Sequence, residues 1–266
     1  MKALEALAEK GWMKFQLDPE LANWATAARP VAEELLSDPN ERAAWLRCGG
    51  TWYAGVNAFP NEPDGSVPWR VPPLQGRAYR AACRLVERDS LTLDRAQISI
   101  MLPGYPQPDD SESEANFRFR LNRDAAHVDG VLRTEKRRRY LGEFHGFVLG
   151  IPLTETPPDA SPMVVWEGSH EIVRAAFRLR LRDVAPDDWE AEDVTEFYAE
   201  TRREIFQRCP RVPVHAKPGE AYLVHRLALH GVAPWGVGGG WAPRIIAYFR
   251  PDPFPGASPG WWLERP

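Results

Sequence analysis

Long apolar runs are missing from this chain: no stretch approaches the roughly eighteen consecutive apolar residues of a bilayer-spanning helix, so no membrane span is expected. Cysteine is scarce. The three present, Cys48, Cys83 and Cys209, are scattered without a CxxC spacing, which excludes a disulfide framework and fits buried thiols in a reducing cytoplasm. An excess of either charge is also missing. The formal charge is -4 and the pI about 5.9, so neither a nucleic-acid-binding nor a polybasic membrane-surface protein is expected. The start, Met1-Lys2-Ala3-Leu4-Glu5, has no apolar core of a signal peptide, and a cytoplasmic location is expected. No internal repeat is visible.

What is present is a chain of 266 residues, 44% hydrophobic, enough for one large core. The expectation is a single domain over 1–266, with a helical N-terminal part (1–90) and a β-rich remainder. The 26 prolines and 20 glycines indicate many turns between short elements, as in β-rich folds. The pattern predicts helices over 2–10, 18–36 and 78–87, a short strand at 12–15, and an irregular stretch over 38–75. Asp18-Pro19-Glu20 is a helix start, with an Asp cap, Pro at the first position and Glu in the first turn. Strands are expected at 96–102, 117–121, 144–153, 163–166, 212–215, 221–224 running on to His230, and 244–249. An inserted helical segment is expected at about 186–207, with Trp189, Val194, Phe197 and Ile205 buried, and is a candidate lid. The fold class is mainly β with flanking α-helices.

His127-Val128-Asp129 is the most informative motif. Residues i and i+2 of an extended segment face one way, so its imidazole and carboxylate project together. His230 follows about a hundred residues later and Arg244 fourteen residues after that. Two imidazoles and one carboxylate on an open face suit non-haem Fe(II), leaving positions for a co-substrate and O2. An arginine can hold the distal carboxylate of that co-substrate in a two-pronged contact.

These residues occur beside Ser161-Pro162-Met163-Val164-Val165-Trp166-Glu167-Gly168-Ser169-His170, Lys217-Pro218-Gly219-Glu220 and His230-Gly231. In that order, and with the N-terminal helix, Gly11 and the Asp18-Pro19-Glu20 start, the chain resembles the phytanoyl-CoA dioxygenase-like family of Fe(II)/2-oxoglutarate oxygenases. The resemblance implies a double-stranded β-helix (jelly roll, cupin-like) fold, iron held by His127, Asp129 and His230, and 2-oxoglutarate held by Arg244, with succinate and CO2 as co-products. It departs from the family in the long His230-to-Arg244 spacing, filled by a glycine-rich turn, and in Val128, where the family often has Gln. The carboxylate of Asp129 favours hydroxylation over halogenation.

Other residues are open to two readings. Gln97 is a candidate for contact with the co-substrate. His225 reads as structural or as supporting the ligands, His170 as fixing a turn near the site, His145 as a core histidine or an active-site contact, and His215 as a surface residue. Arg118 and Arg120 share a face of the expected strand. The basic run Arg133-Thr134-Glu135-Lys136-Arg137-Arg138-Arg139 is either a solvated loop or a clamp for an anionic group of a small-molecule substrate, such as a carboxylate, a phosphate or a CoA moiety. Trp52, Tyr53, Trp69, Trp235 and Trp241 either line a pocket or pack in the core. Two rival classes share the fold: a cupin-type metal enzyme that needs no 2-oxoglutarate, and a non-catalytic binding protein.

Overall fold

The computed structural model describes residues 2–110 and 112–264; Met1, Ser111, Arg265 and Pro266 of the expected 1–266 unit lie outside the described residues. Twelve strands are present among them: β1 (Trp12–Phe15), β2 (Leu46–Arg47), β3 (Trp52–Gly55), β4 (Gln97–Met101), β5 (Val131–Arg133), β6 (Arg139–Leu141), β7 (Phe147–Pro152), β8 (Met163–Trp166), β9 (Arg211–Val214), β10 (Ala221–His225), β11 (His230–Val232) and β12 (Arg244–Phe249). The α-helices are α1 (Lys2–Lys10), α2 (Pro19–Ser37), α3 (Pro39–Trp45), α4 (Arg77–Leu85), α5 (Glu114–Arg123), α6 (Ser169–Leu181), α7 (Thr195–Arg208) and α8 (Trp261–Glu264).

The antiparallel strands build a double-stranded β-helix. The larger sheet has the order β1-β10-β7-β12-β4-β3-β2 and the smaller one β11-β8-β9, while β5 and β6 form a separate hairpin. Alternation in each strand sends side chains to two different cores. Along β12, Ile245, Ala247 and Phe249 join the cluster under α2 and α4, together with Leu149, Ile151 and Leu223. Ile246 and Tyr248 point the other way, between the sheets, beside Val148, Val165, Val214 and Tyr222. Arg244 shares the parity of Ile246 and Tyr248, so it too belongs to the barrel interior, where it is 5% exposed. Gly150 stands opposite Tyr222 in the β10–β7 register, and a Cβ there would meet the Tyr222 ring at 2.2 Å, so the aromatic side chain crosses the sheet over a bare backbone.

The outer layers follow from local sequence. Asp18 caps α2 by accepting from the Glu20 N–H at 3.1 Å, and it also accepts from the Arg77 N–H at the start of α4 at 2.7 Å. The buried stripe Leu21, Trp24, Ala25, Ala28, Val31 and Ala32 has helical spacing and faces the large sheet. On the far side, α6, α7 and α8 cover the small sheet through Phe177, Leu181, Tyr198, Ile205 and Trp262, packed on Val164 and Trp166.

Several expectations are corrected. Residues 117–121 are helix, not strand: Ser113 caps α5 by accepting from the Asn116 N–H, Glu114 sits in the first turn and Arg123 in the last. The alternation of Phe and Arg there carries no burial pattern, because no residue of α5 is fully buried. Arg118 accordingly pairs with Glu114 one turn away instead of lying on a strand face. The stretch 38–75 contains α3, β2 and β3. Residues 221–225 and 230–232 are two strands in different sheets, not one continuous strand. Gly168-Ser169-His170 opens helix α6, which the periodicity did not reveal. The expected helix at 186–207 is a 3-10 turn over Pro186–Ala191 followed by α7.

The chain just before the metal motif depends on one ion pair. Asp124 and Ala125 are in the left-handed region, at φ of 54° and 51°, a conformation that non-glycine residues adopt at a cost of about 1 kcal/mol or more. Buried Asp124 is gripped by both prongs of Arg211 from β9, at 2.7 and 2.8 Å. Arg211→Met leaves that carboxylate buried and unpaired, and is expected to destabilise by about 2 kcal/mol. Adding Asp124→Asn should restore part of the loss. Denaturant midpoints of the two variants check this, and additive losses would contradict it.

Candidate metal centre

His127 and His230 form an isolated antiparallel bridge that joins the start of the metal motif to the edge strand β11. Each main-chain N–H donates to the other's carbonyl, at 2.8 and 3.0 Å. This backbone pairing sets the two rings side by side, with centroids 4.7 Å apart. Gly231 permits the close approach: a Cβ there would lie 2.1 Å from the Asp124 carbonyl oxygen. Each ring also has its Nδ1 next to a carbonyl of its own strand, Ala125 at 3.0 Å for His127 and Ala228 at 2.9 Å for His230. With Nδ1–H as the donor, each Nε2 keeps its lone pair free for a cation. Asp129 completes the group, with carboxylate oxygens 3.3 Å from His127 Nε2 and 3.7 Å from His230 Nε2. One candidate ligand atom from each of the three residues lies within 4.8 Å of the others. Both histidines and Asp129 predicted from sequence are thus brought together.

The electrostatics suit a cation. Burial alone would raise the Asp129 carboxyl, but His230, His127 and Arg250 hold it well below the ordinary carboxylate range. Burial is also the main influence on His230 and pushes its imidazole down to about 4, so that ring is neutral near pH 7. An ionised carboxylate and a neutral imidazole are the forms a divalent metal binds.

A cavity of about 290 Å³ opens in front of the triad. Gln97 and Ser99 of β4 reach it on one side, Trp52 on another, and Tyr248 and Arg250 from β12 and its exit. Gln97, the candidate for co-substrate contact, thus lines the cavity in front of the triad. Arg244 does not line this cavity. It borders the tight adjoining space with Thr154, Tyr222 and Ile246. Tyr248 connects the two, since its ring lines the cavity and its hydroxyl is 3.4 Å from Arg244 Nη2. Arg244 is a buried cation whose neighbouring titratable groups among the described residues are Tyr248 and Tyr222, not a carboxylate, and its Nη1 has no hydrogen-bond partner. A guanidinium in that state is stabilised by an anion.

Two contributors escaped the sequence reading. Tyr198 of α7 is fully buried, and its hydroxyl accepts the Val128 N–H at 2.7 Å, between the two ligands of the motif. The expected buried position was the neighbouring Phe197, which is only partly covered; a one-residue rotation of the helix separates the two. Arg250, whose Nη1 is 3.8 Å from Asp129, follows a strand whose other end drew attention to Arg244. No signal in the sequence marks it.

The remaining histidines do not join the triad. His170 Nε2 meets the Ala8 carbonyl at 2.9 Å and its ring lies against His225. His225 bonds the Leu227 N–H and Arg174. His145 bonds Glu143, which borders the cavity, and His215 is half-buried against the Thr156 carbonyl. Of the tryptophans, Trp52 lines the cavity, whereas Trp69 and Trp241 are solvent-exposed. Among the described residues no helix is long and apolar enough to cross a membrane.

The chain matches no protein-family model and no curated protein. Among solved structures it is similar to the non-heme alpha-ketoglutarate-dependent carbocyclase SnoK from nogalamycin biosynthesis (15% identity, TM-score 0.48, covering 94% of this chain and 83% of that one). It is similar also to AviO1 from Streptomyces viridochromogenes Tue57 (16%, 0.44, 96% and 95%) and to EctD from S. alaskensis in its apoform (17%, 0.49, 98% and 82%).

Tyr198→Phe keeps the ring but removes the acceptor for the Val128 N–H. The variant should fold and bind divalent metal about tenfold more weakly, the usual effect of losing an outer hydrogen bond that orients ligands. Titration with Co(II) followed by calorimetry measures this, and an unchanged affinity would exclude an orienting role for Tyr198.

Proposed function

We propose that this protein is a non-haem Fe(II)- and 2-oxoglutarate-dependent dioxygenase that hydroxylates a small organic substrate. The observation that carries the reading is the convergence of two outward-facing Nε2 atoms and one carboxylate at the mouth of a jelly-roll barrel. His127, Asp129 and His230 would hold the iron on one face, which leaves the other face toward the 290 Å³ cavity. The unpartnered Nη1 of Arg244 fits the distal carboxylate of a dicarboxylic co-substrate, and the Tyr248 hydroxyl stands beside it as a further donor. Gln97, which lines the cavity from β4, would contact the same molecule.

When bound, iron with 2-oxoglutarate supplies O2 activation coupled to decarboxylation, giving succinate and CO2. The chain's own residues do the rest. The His127–His230 bridge keeps both imidazoles oriented without rearrangement on binding. Trp52, Val148 and Met163 form apolar wall that positions the substrate and limits water at the reacting carbon. Asp129 would supply the third ligand, and its carboxylate favours hydroxylation over halogenation.

One observation favours a second reading, a cupin-type metal enzyme that uses no 2-oxoglutarate: Arg244 lies behind Tyr248 and is not part of the cavity wall. The two readings separate in one experiment. Anaerobic addition of Fe(II) and 2-oxoglutarate to the metal-free protein should produce the weak visible charge-transfer band of a chelated 2-oxo acid. The band should be absent in His127→Ala, and Arg244→Gln should require about tenfold or more 2-oxoglutarate to reach it, as expected for losing a charge-assisted pair. Stoichiometric iron binding without a band in the wild type would reject the co-substrate and favour the second reading.

A further inference from the structure

A second cavity, of about 490 Å³, lies beside the β5–β6 hairpin and shares His127 with the metal cavity. The hairpin contributes to both: Val131 and Leu132 line the metal cavity, and Arg133, Arg137 and Arg139 line the second one. Five guanidiniums surround this space, those of Arg120, Arg133, Arg137, Arg139 and Arg202. They face one carboxylate, Glu112, which is already paired with Arg120. Among the described residues, none of the other four makes an ion pair. In a chain of net charge -4 such a concentration of unmatched positive charge is a local exception.

The arginines are also held in place. Arg202 lies over the Phe119 and Tyr198 rings, at 5.0 and 4.8 Å, and Arg139 over Tyr198 at 5.4 Å. Among the described residues, their guanidiniums make only long polar contacts, to the backbone carbonyls of Ala126 for Arg202 and Val131 for Arg139, both at 3.4 Å. The Nε atoms of Arg202 and Arg120 are buried without a partner. Burial is the main cause that depresses the Arg139 guanidinium, and the nearby Arg202 and Arg133 push it the same way. The neighbouring Arg138 behaves differently: it turns away to Asp193 and Glu196.

We propose that this cavity binds the phosphate group of a phosphorylated substrate, whose organic body passes over His127 into the metal cavity. This rests on the oxygenase reading for the chemistry, but the anion site stands on its own residues. A carboxylate would balance one of four unpaired guanidiniums. A phosphate monoester is close to a dianion at neutral pH and presents three acceptor oxygens to forked donors. Placing the anion here leaves Arg244 for the co-substrate, so the two anions do not compete.

Phenyl phosphate, phenyl sulfate and benzoate carry the same apolar body and different anions, and calorimetric titration of the metal-free full chain at constant ionic strength compares them directly. Phenyl phosphate should bind best, and at least tenfold more weakly to the double variant Arg133→Gln/Arg137→Gln. Both side chains are exposed on the hairpin, so the variant should fold. Arg138→Gln, outside the cavity, should bind as the wild type does. Equal binding of benzoate, or undiminished binding by the double variant, overturns the proposal. Phenyl phosphate should also leave the Fe(II)/2-oxoglutarate band in place, whereas its displacement of 2-oxoglutarate would put the anion at Arg244 and overturn it. Cavity-dependent binding in a wild type that never forms the band would remove the oxygenase reading and retain the phosphate site.

Discussion

The two reciprocal main-chain hydrogen bonds between His127 and His230 are the constraint on which the rest of the site depends. They join segments about a hundred residues apart and fix both imidazoles at once. Everything nearby works to keep that bridge in register. Arg211 holds the left-handed reversal at Asp124, Gly231 lets the strands close, and the Tyr198 hydroxyl anchors the Val128 amide. Because Tyr198 belongs to the helical layer outside the small sheet, that layer is part of the support of the metal motif. The 186–207 segment, a candidate lid, contributes Trp189, Val194, Tyr198 and Ile205 to a buried core.

Unmatched positive charge is the second organising feature. Arg244 is sealed in the barrel without a carboxylate, and Arg139 and Arg202 are partly sealed beside the hairpin. Burying a guanidinium without an anion is unfavourable, so such residues persist where a ligand completes them. The two sets lie on different sides of the triad. In the proposed reading, one of these sites takes the co-substrate anion and the other the substrate anion.

Legibility followed the range of the interactions. Asp18-Pro19-Glu20 gave the start of α2 because a cap, a proline and a first-turn acid act within three residues. β7, β8 and β12 were readable from short apolar runs, and the triad from residue types that few other chemistries need together. The helix α5 was misread because Phe-Arg-Phe-Arg-Leu alternates without any burial behind it. Tyr198, Arg250 and the five-arginine cavity were not legible as parts of a site, since their roles come from contacts between distant elements. The basic run was visible in sequence. That Arg138 leaves it, and that Arg120 and Arg202 join it, is decided only by packing.

The central claim is that the His127–His230 bridge presents two imidazoles and the Asp129 carboxylate to a single cation. X-ray absorption spectroscopy of the Fe(II)-loaded protein tests it most directly. The account predicts one iron per chain with the multiple scattering of two imidazoles in an otherwise oxygen shell, falling to one imidazole in His230→Gln. Iron bound with no imidazole scattering, or a wild-type spectrum unchanged by that substitution, would contradict it.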